Sequence, residues 1–223
     1  MNQATTTIEP RKRPSQARSA ATVDAILDAA ARILGSEGLV GLNTNAVAQV
    51  AGVSVGSLYQ YFPGKEAILS ELLRRKRAMV LAGINAALEG MEHTSEAQMI
   101  ERLVRAGIRN QASTPKLLQA YDYAGAVLPM HSETRRINGE IAAAIARFLA
   151  LHGTPRAETL AQDFIGITRG IVTQALLAGP IDKDELADRV CVAITGYLDA
   201  WRRLHGGRTN ENGGPKPAMS QHR

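Results

Sequence analysis

The feature that most restricts what this chain can fold into is the regular alternation of helix-period apolar runs with caps and breakers. Val23, Ile26, Leu27, Ala30, Ile33 and Leu34 recur at three- and four-residue spacing, with Thr22 as a candidate N-cap and Gly35 or Gly38 closing the run. A short second helix fits Thr44 to Ala51, Gly52 interrupts it, and a third fits Ser54 to Tyr61 before Pro63-Gly64 breaks the pattern. Ile68, Leu72 and Met79, beside Leu69, Leu73, Val80, Ile84 and Leu88, then give a long fourth helix with a wide apolar face. Further on, Ser95 with Gln98 forms a capping box, Thr114-Pro115 reads as an N-cap with proline at the first helical position, and Ser132 can cap the run ending at Gly153. Thr154-Pro155 opens another helix that stops at Gly179-Pro180, and Asp182 with Glu185 caps the last, which ends at Gly206-Gly207. Strand alternation is sparse, so the expected fold is all α with about nine helices.

Residues 44–61, TNAVAQVAGVSVGSLYQY, meet the packing demands of a helix-turn-helix. Two short helices crossing steeply need a small residue where their backbones meet, which Ala48 supplies, and Gly52 can take a positive φ at the turn. Val47, Ala51, Val53 and Leu58 then point to a shared core. That leaves Ser54, Val55, Gly56, Ser57, Tyr59, Gln60 and Tyr61 on the outer face of the second helix, and such a helix enters the major groove by its N-terminal end.

The run AGVSVGSLYQYFPGKEAIL (51–69), preceded by ILDAAARIL (26–34) and Thr44, resembles the DNA-binding domain of the TetR/AcrR family of bacterial transcriptional regulators. The resemblance covers roughly residues 20–75. It implies a three-helix DNA-binding domain, a connecting fourth helix, and a helical C-terminal domain that dimerises and binds a small-molecule inducer. Carried over by position, it puts Thr44 on a DNA phosphate and Ser54, Val55, Gly56 and Ser57 at the recognition-helix tip. Tyr59 and Tyr61 would reach phosphate oxygens, Lys65 would add a charge-assisted phosphate contact, and base reading would fall to Val55, Ser57 and Gln60. Two departures stand out. Ala46 and Gln49 occupy second-helix positions that are often charged in the family, and Gly64 replaces a capping Asn, Asp or Ser at a cost of a few tenths of a kcal/mol.

Charge is a weaker clue. The chain carries 26 Lys+Arg and 21 Asp+Glu, a formal +5. The excess lies in an N-terminal arm (Arg11, Lys12, Arg13, Arg18), in the cluster Arg74 to Arg77 and in the tail, whereas 38–65 holds no acidic residue. The arm could reach the minor groove. A single cysteine, Cys191, fits a reducing compartment and a structural thiol. No secretory h-region is visible, and Asn43, Thr44, Asn45, Gln49, Gly52, Ser54 and Pro63 break the uncharged stretch 39–64 as a membrane span, so a cytoplasmic protein is expected. The five histidines are isolated, with no phosphate loop, nucleophile elbow or ligand spacing, so neither an enzyme nor a metal or cofactor is expected.

The expected organisation is a disordered basic arm (1–19), the helix-turn-helix domain (20–66), a helical ligand-binding and dimerisation domain (67–205, with 67–89 connecting) and a disordered tail (206–223). Candidate inducer contacts are Ile100, Val104, Tyr121, Tyr123, Phe148 and Phe164, while Arg169 is either a ligand anchor or, preferably, an ion-pair partner at the dimer seam. Function is then expected to be that of a homodimeric repressor, dimerised through its last two long helices and released from a palindromic operator by an effector of unknown identity. The alternatives are a TetR-like scaffold that binds ligands or catalyses without an operator, and a DNA-binding protein without an effector.

Overall fold

Most of the breaks in the sequence become helix ends. The computed structural model describes Glu9, residues 17–109 and residues 114–205. Within them run α1 (Ala17–Ser36), α2 (Thr44–Ala51), α3 (Val55–Tyr61), α4 (Lys65–Ala87), α5 (Glu96–Arg109), α6 (Pro115–Val127), α7 (His131–Leu151), α8 (Ala157–Ala178) and α9 (Lys183–His205), with 3-10 turns at Gly38–Val40 and Met91–His93. These are the nine helices expected, and no strand occurs among the described residues. Arg11, Lys12 and Arg13 of the arm, the side chain of Arg18, and the tail from Gly206 lie outside the described residues.

Several caps form as read. Thr114 Oγ1 accepts from the Leu117 N–H at 3.2 Å, ahead of Pro115. Asp182 Oδ1 accepts from the N–H groups of Asp184 and Glu185 at 2.8 and 3.2 Å. Ser95 and Gln98 close their box, with the Ser95 N–H and hydroxyl both donating to Gln98 Oε1. A cap not anticipated from the sequence is Asn43 at α2, whose Oδ1 accepts from the Ala46 N–H at 2.9 Å. Each satisfies backbone donors that a helix start leaves open.

Three caps differ from the expectation. α1 begins at Ala17, so Thr22 lies inside it; Ala20 and Ala21 propagate helix without adding to the apolar pattern. Ser132 lies inside α7, which follows Met130 with no side-chain cap. Thr154 closes α7 rather than opening α8: its N–H donates to Leu149 O at 3.0 Å after Gly153 turns at φ 68°, and its hydroxyl accepts from Arg202 Nη2 at 2.7 Å. Met79, expected on the apolar face of α4, is 59% exposed. The wall is taken instead by Val80, packed on the core, and by the buried Ile84.

α1 packs against α2, α4 and α6, and α2 against α3; α4 meets α5, α6 and α7, while α5–α9, α7–α8 and α8–α9 build the larger end. A continuous apolar core runs through both ends, from Val23 on α1 to Leu198 on α9. α4 is one bridge between them. The start of α6 is a second: Lys116 Nζ donates to Ser36 O at 2.5 Å, and a Cβ on Gly35 would lie 3.6 Å from Thr114 Oγ1.

Gly52 sits between α2 and α3 at φ 68°, where a Cβ would meet nothing within 4 Å. Gly52→Ala therefore carries only the backbone cost, and urea unfolding should show a loss of about 1–2 kcal/mol with the fold kept.

Candidate nucleic-acid interface and cavity

The turn between α2 and α3 is built by the short residues that the sequence pattern identified. Ala48, 1% exposed, lies at the crossing, and its carbonyl accepts from the Val53 N–H at 3.0 Å. Leu58 and Val47 are fully buried, Ala51 and Val53 pack against the core, and Phe62 plugs the base of α3. With Leu58 fixed inward, the pitch of α3 turns Val55, Gly56, Tyr59 and Gln60 outward. Val55 is 37% and Tyr59 40% exposed. A Cβ on Gly56 would approach only Ser54 Oγ, at 3.9 Å, so the tip of α3 is open to a second molecule.

The hydroxyls at this surface are already organised. Thr44 Oγ1 and Tyr59 Oη lie 3.2 Å apart, tying the start of α2 to the middle of α3. Ser54 Oγ accepts from the Ser57 N–H at 3.0 Å and lies 2.8 Å from Ser57 Oγ. Ser54 is thus the N-cap of α3, and Ser57, half-buried, shares its hydroxyl with that cap. Tyr61 packs partly against the core and accepts from Ser19 Oγ at 3.2 Å, which leaves its own proton to donate. Lys65 is exposed at the first position of α4, after Gly64 in extended backbone. Glu66 beside it complements the helix dipole and opposes an approaching phosphate.

The basic cluster 74–77 is spent inside the protein. Arg74 Nε donates to Glu133 of α7 at 3.0 Å, and its Nη2 to Glu9 at 2.6 Å. Arg75 Nη1 donates to Asp24 of α1 at 2.6 Å, and Arg77 Nη1 to Thr134 of α7 at 2.7 Å. Lys76 Nζ stands 4.7 Å from the ring centroid of Tyr121 on α6.

Lys76 and Arg77 open onto a cavity of about 460 Å³ between α4, α5, α6, α7 and α8. Two of the six candidate ligand residues, Tyr121 and Phe164, are on its wall. The other four are not. Ile100, Val104 and Phe148 are buried in close-packed core, Phe148 with the His152 ring 4.8 Å away, and Tyr123 faces outward at 43% exposure. Periodicity finds the inward face of a helix but not which part of it meets a void. Arg169 also lies on this wall, and within the chain its Nη2 donates to Asp122 at 2.5 Å.

Burial pushes the Lys76 ammonium down to about 8, against the opposing pull of Asp122 and with Arg169 and Arg77 adding repulsion. Burial likewise lowers the Arg77 guanidinium. Neither residue stood out from the sequence as a ligand group. A signal was available, because four successive cations on a helix leave it at steps of about 100° and cannot all face water.

Comparison with known proteins agrees with this architecture at both ends. Residues 26–72 match the family described as bacterial regulatory proteins, tetR family, and residues 97–198 match a tetracyclin repressor-like C-terminal domain. The chain is 27% identical over 193 residues to the HTH-type transcriptional regulator BetI of Rhizobium meliloti (strain 1021), covering 82% of this chain and 90% of that one. It is 33% identical over 132 residues to the HTH-type transcriptional repressor KstR of Mycobacterium tuberculosis, covering 58% and 59%. Among solved structures, a transcriptional regulator from Rhodococcus sp. Rha1 superposes with a TM-score of 0.66 at 22% identity, covering 80% of this chain and 96% of that one. The fatty acid degradation regulator FadR from Bacillus halodurans superposes at 0.65 and 18%, covering 83% and 97%.

Proposed function

This chain belongs to the TetR family of bacterial transcriptional regulators, and from that premise we propose that it is a homodimeric repressor released from a palindromic operator by a small molecule. The observation that carries the reading is the outer face of α3, where Val55, Gly56, Tyr59 and Gln60 stand clear of the core that holds Leu58. In this reading Thr44, Tyr59, Tyr61 and Lys65 contact phosphates and Val55, Ser57 and Gln60 read base edges. Ser54 positions the tip through its cap, and Gly56 allows close approach. The relative named a repressor supports repression over activation.

Dimerisation through α8 and α9 is supported by their outer faces. Val192 is 74% exposed, Leu177 54%, and a Cβ on Gly166, Gly170 or Gly196 would meet nothing within 4 Å. Exposed apolar groups beside small residues suit close packing against a second copy. A twofold axis there would set two α3 helices on one DNA face, roughly 34–36 Å apart or somewhat more. The cavity is the effector site in this reading, bounded by α4 and α6, the two elements that also touch the DNA-binding end. No catalytic step is assigned, and the protein acts in the cytoplasm. No helix among the described residues is long and apolar enough to cross a membrane.

The test is a gel shift with DNA flanking the protein's own gene, alongside light scattering at micromolar protein. A monomer, or the failure of any such fragment to shift, removes the proposal. Tyr59→Phe should weaken binding to every sequence by a similar factor, about two- to tenfold, while Val55 or Gln60 substitutions should change base preference by about 1–3 kcal/mol at one position. A fluorescence-anisotropy panel of single-base operator variants distinguishes the two, and the reverse pattern would overturn the assignment.

A further inference from the structure

The cavity holds an imbalance of charge. Its wall carries three cations, Lys76, Arg77 and Arg169, and one carboxylate, Asp122. Asp122 is engaged by Arg169 at 2.5 Å. Among the described residues no ion pair includes Lys76 or Arg77: the first faces the Tyr121 ring and the second donates to the Thr134 hydroxyl, while the nearby carboxylates Asp122 and Glu133 are engaged by Arg169 and Arg74. The rest of the wall is mostly apolar, with Val80, Ile84, Leu103, Ile141, Ile145 and Phe164 among its hydrophobic groups and the neutral polar Asn138, Gln162, Thr168 and Thr173 beside them.

We propose that this cavity takes an amphipathic organic anion, a single carboxylate on an apolar body, with the carboxylate held by Lys76 and Arg77. The proposal rests on the effector-site reading above and gives that site its ligand chemistry. A half-buried ammonium and guanidinium lose hydration that a neutral ligand cannot restore, and a cationic ligand would add repulsion. A carboxylate restores it through charge-assisted hydrogen bonds, and the planar guanidinium matches its geometry. Gly125 on α6 makes room for this arrangement, since a Cβ there would lie 3.2 Å from Arg77 Nη2. Thr168 on the same wall has a buried hydroxyl without a hydrogen-bond partner among the described residues. The depressed Lys76 supports the same conclusion, because a bound anion favours the charged form that burial opposes.

The pH dependence has a definite sign. Anion binding raises the Lys76 pKa above its free value of about 8, so affinity is full below that value and falls as pH rises through it. The charged and titratable groups facing Lys76 are Arg77 on α4, Tyr121 and Asp122 on α6, and Arg169 on α8. Burial raises the Tyr121 phenol from its ordinary value of 10.0, away from the range near 8 in which Lys76 loses its proton.

The experiment is calorimetric titration of the full-length protein with decanoate, decanamide, decyl phosphate and decylammonium below their micellar range, and with 2-naphthoate as a second apolar body. Decanoate or 2-naphthoate should bind, decanoate at least about tenfold tighter than decanamide, and decylammonium should not bind. Lys76→Met should weaken decanoate about tenfold or more, leave decanamide unchanged and remove the loss of affinity above pH 8. Gly107→Leu, whose Cβ meets nothing within 4 Å and whose side chain would occupy the cavity, should abolish binding of every probe with the thermal melt retained. The proposal is overturned by equal affinity for acid and amide, by tighter binding of the phosphate or the ammonium, by parent-like binding in Gly107→Leu, or by no saturable carboxylate binding up to about 1 mM. Operator shifts run on the same samples separate the two readings. Intact operator binding without anion binding removes only this inference, while anion binding without operator binding removes the regulator reading and leaves the cavity chemistry standing.

Discussion

Phe62→Ala is expected to lower the unfolding free energy by about 3–5 kcal/mol and to abolish operator binding at ordinary growth temperatures. Phe62 is fully buried at the end of α3, its N–H donates to Leu58 O at 2.9 Å, and it belongs to the same core as Ile26, Leu34, Val47 and Ile68. Removing the ring leaves a cavity in the core shared by α1, α2, α3 and α4. A domain of ordinary stability has about 5–15 kcal/mol to lose, so the loss takes a large share of the whole. Urea unfolding followed by circular dichroism measures it, with Val40→Ser, at a 97% exposed site, as a control expected within about 0.5 kcal/mol of the parent. A loss under about 1 kcal/mol would mean that Phe62 is not what anchors α3.

The double variant Gly166→Glu with Val192→Glu carries the other large effect. Both positions are exposed and neither side chain meets a neighbour that would clash, so the monomer should fold normally. Four carboxylates at a twofold seam would repel one another and resist desolvation. Light scattering should then report a monomer. Operator affinity should fall by about 10²–10⁴-fold, since the second half-site would no longer benefit from a tethered effective concentration. A variant that remains dimeric with undiminished affinity would place the seam elsewhere.

How far the sequence could be read depended on whether a residue's role is local. Asp182 and Thr114 cap helices through groups two or three residues away, and the helix-turn-helix follows from the spacing of Ala48, Gly52 and Leu58, so these were legible. Thr154 was not, because its N–H reaches back to Leu149 and its hydroxyl to Arg202, 48 residues away. The cavity was less legible still. Ile100 and Phe164 look alike as apolar positions on amphipathic helices, yet one is in close-packed core and the other borders empty space. The contact of Arg169 with Asp122 was equally hidden, since Asp122 lies on a helix that no local pattern connects to it.

The run Arg74 to Arg77 has a mechanical consequence. Its side chains leave α4 toward three neighbours: Arg74 and Arg77 to α7, Arg75 to α1 and Lys76 to α6. Spinning α4 about its own axis would break all of these contacts together, whereas tilting it would strain those at one end more than the other. The run thus acts as a spline on a shaft. It resists rotation of α4 about its own axis more than a change in its inclination.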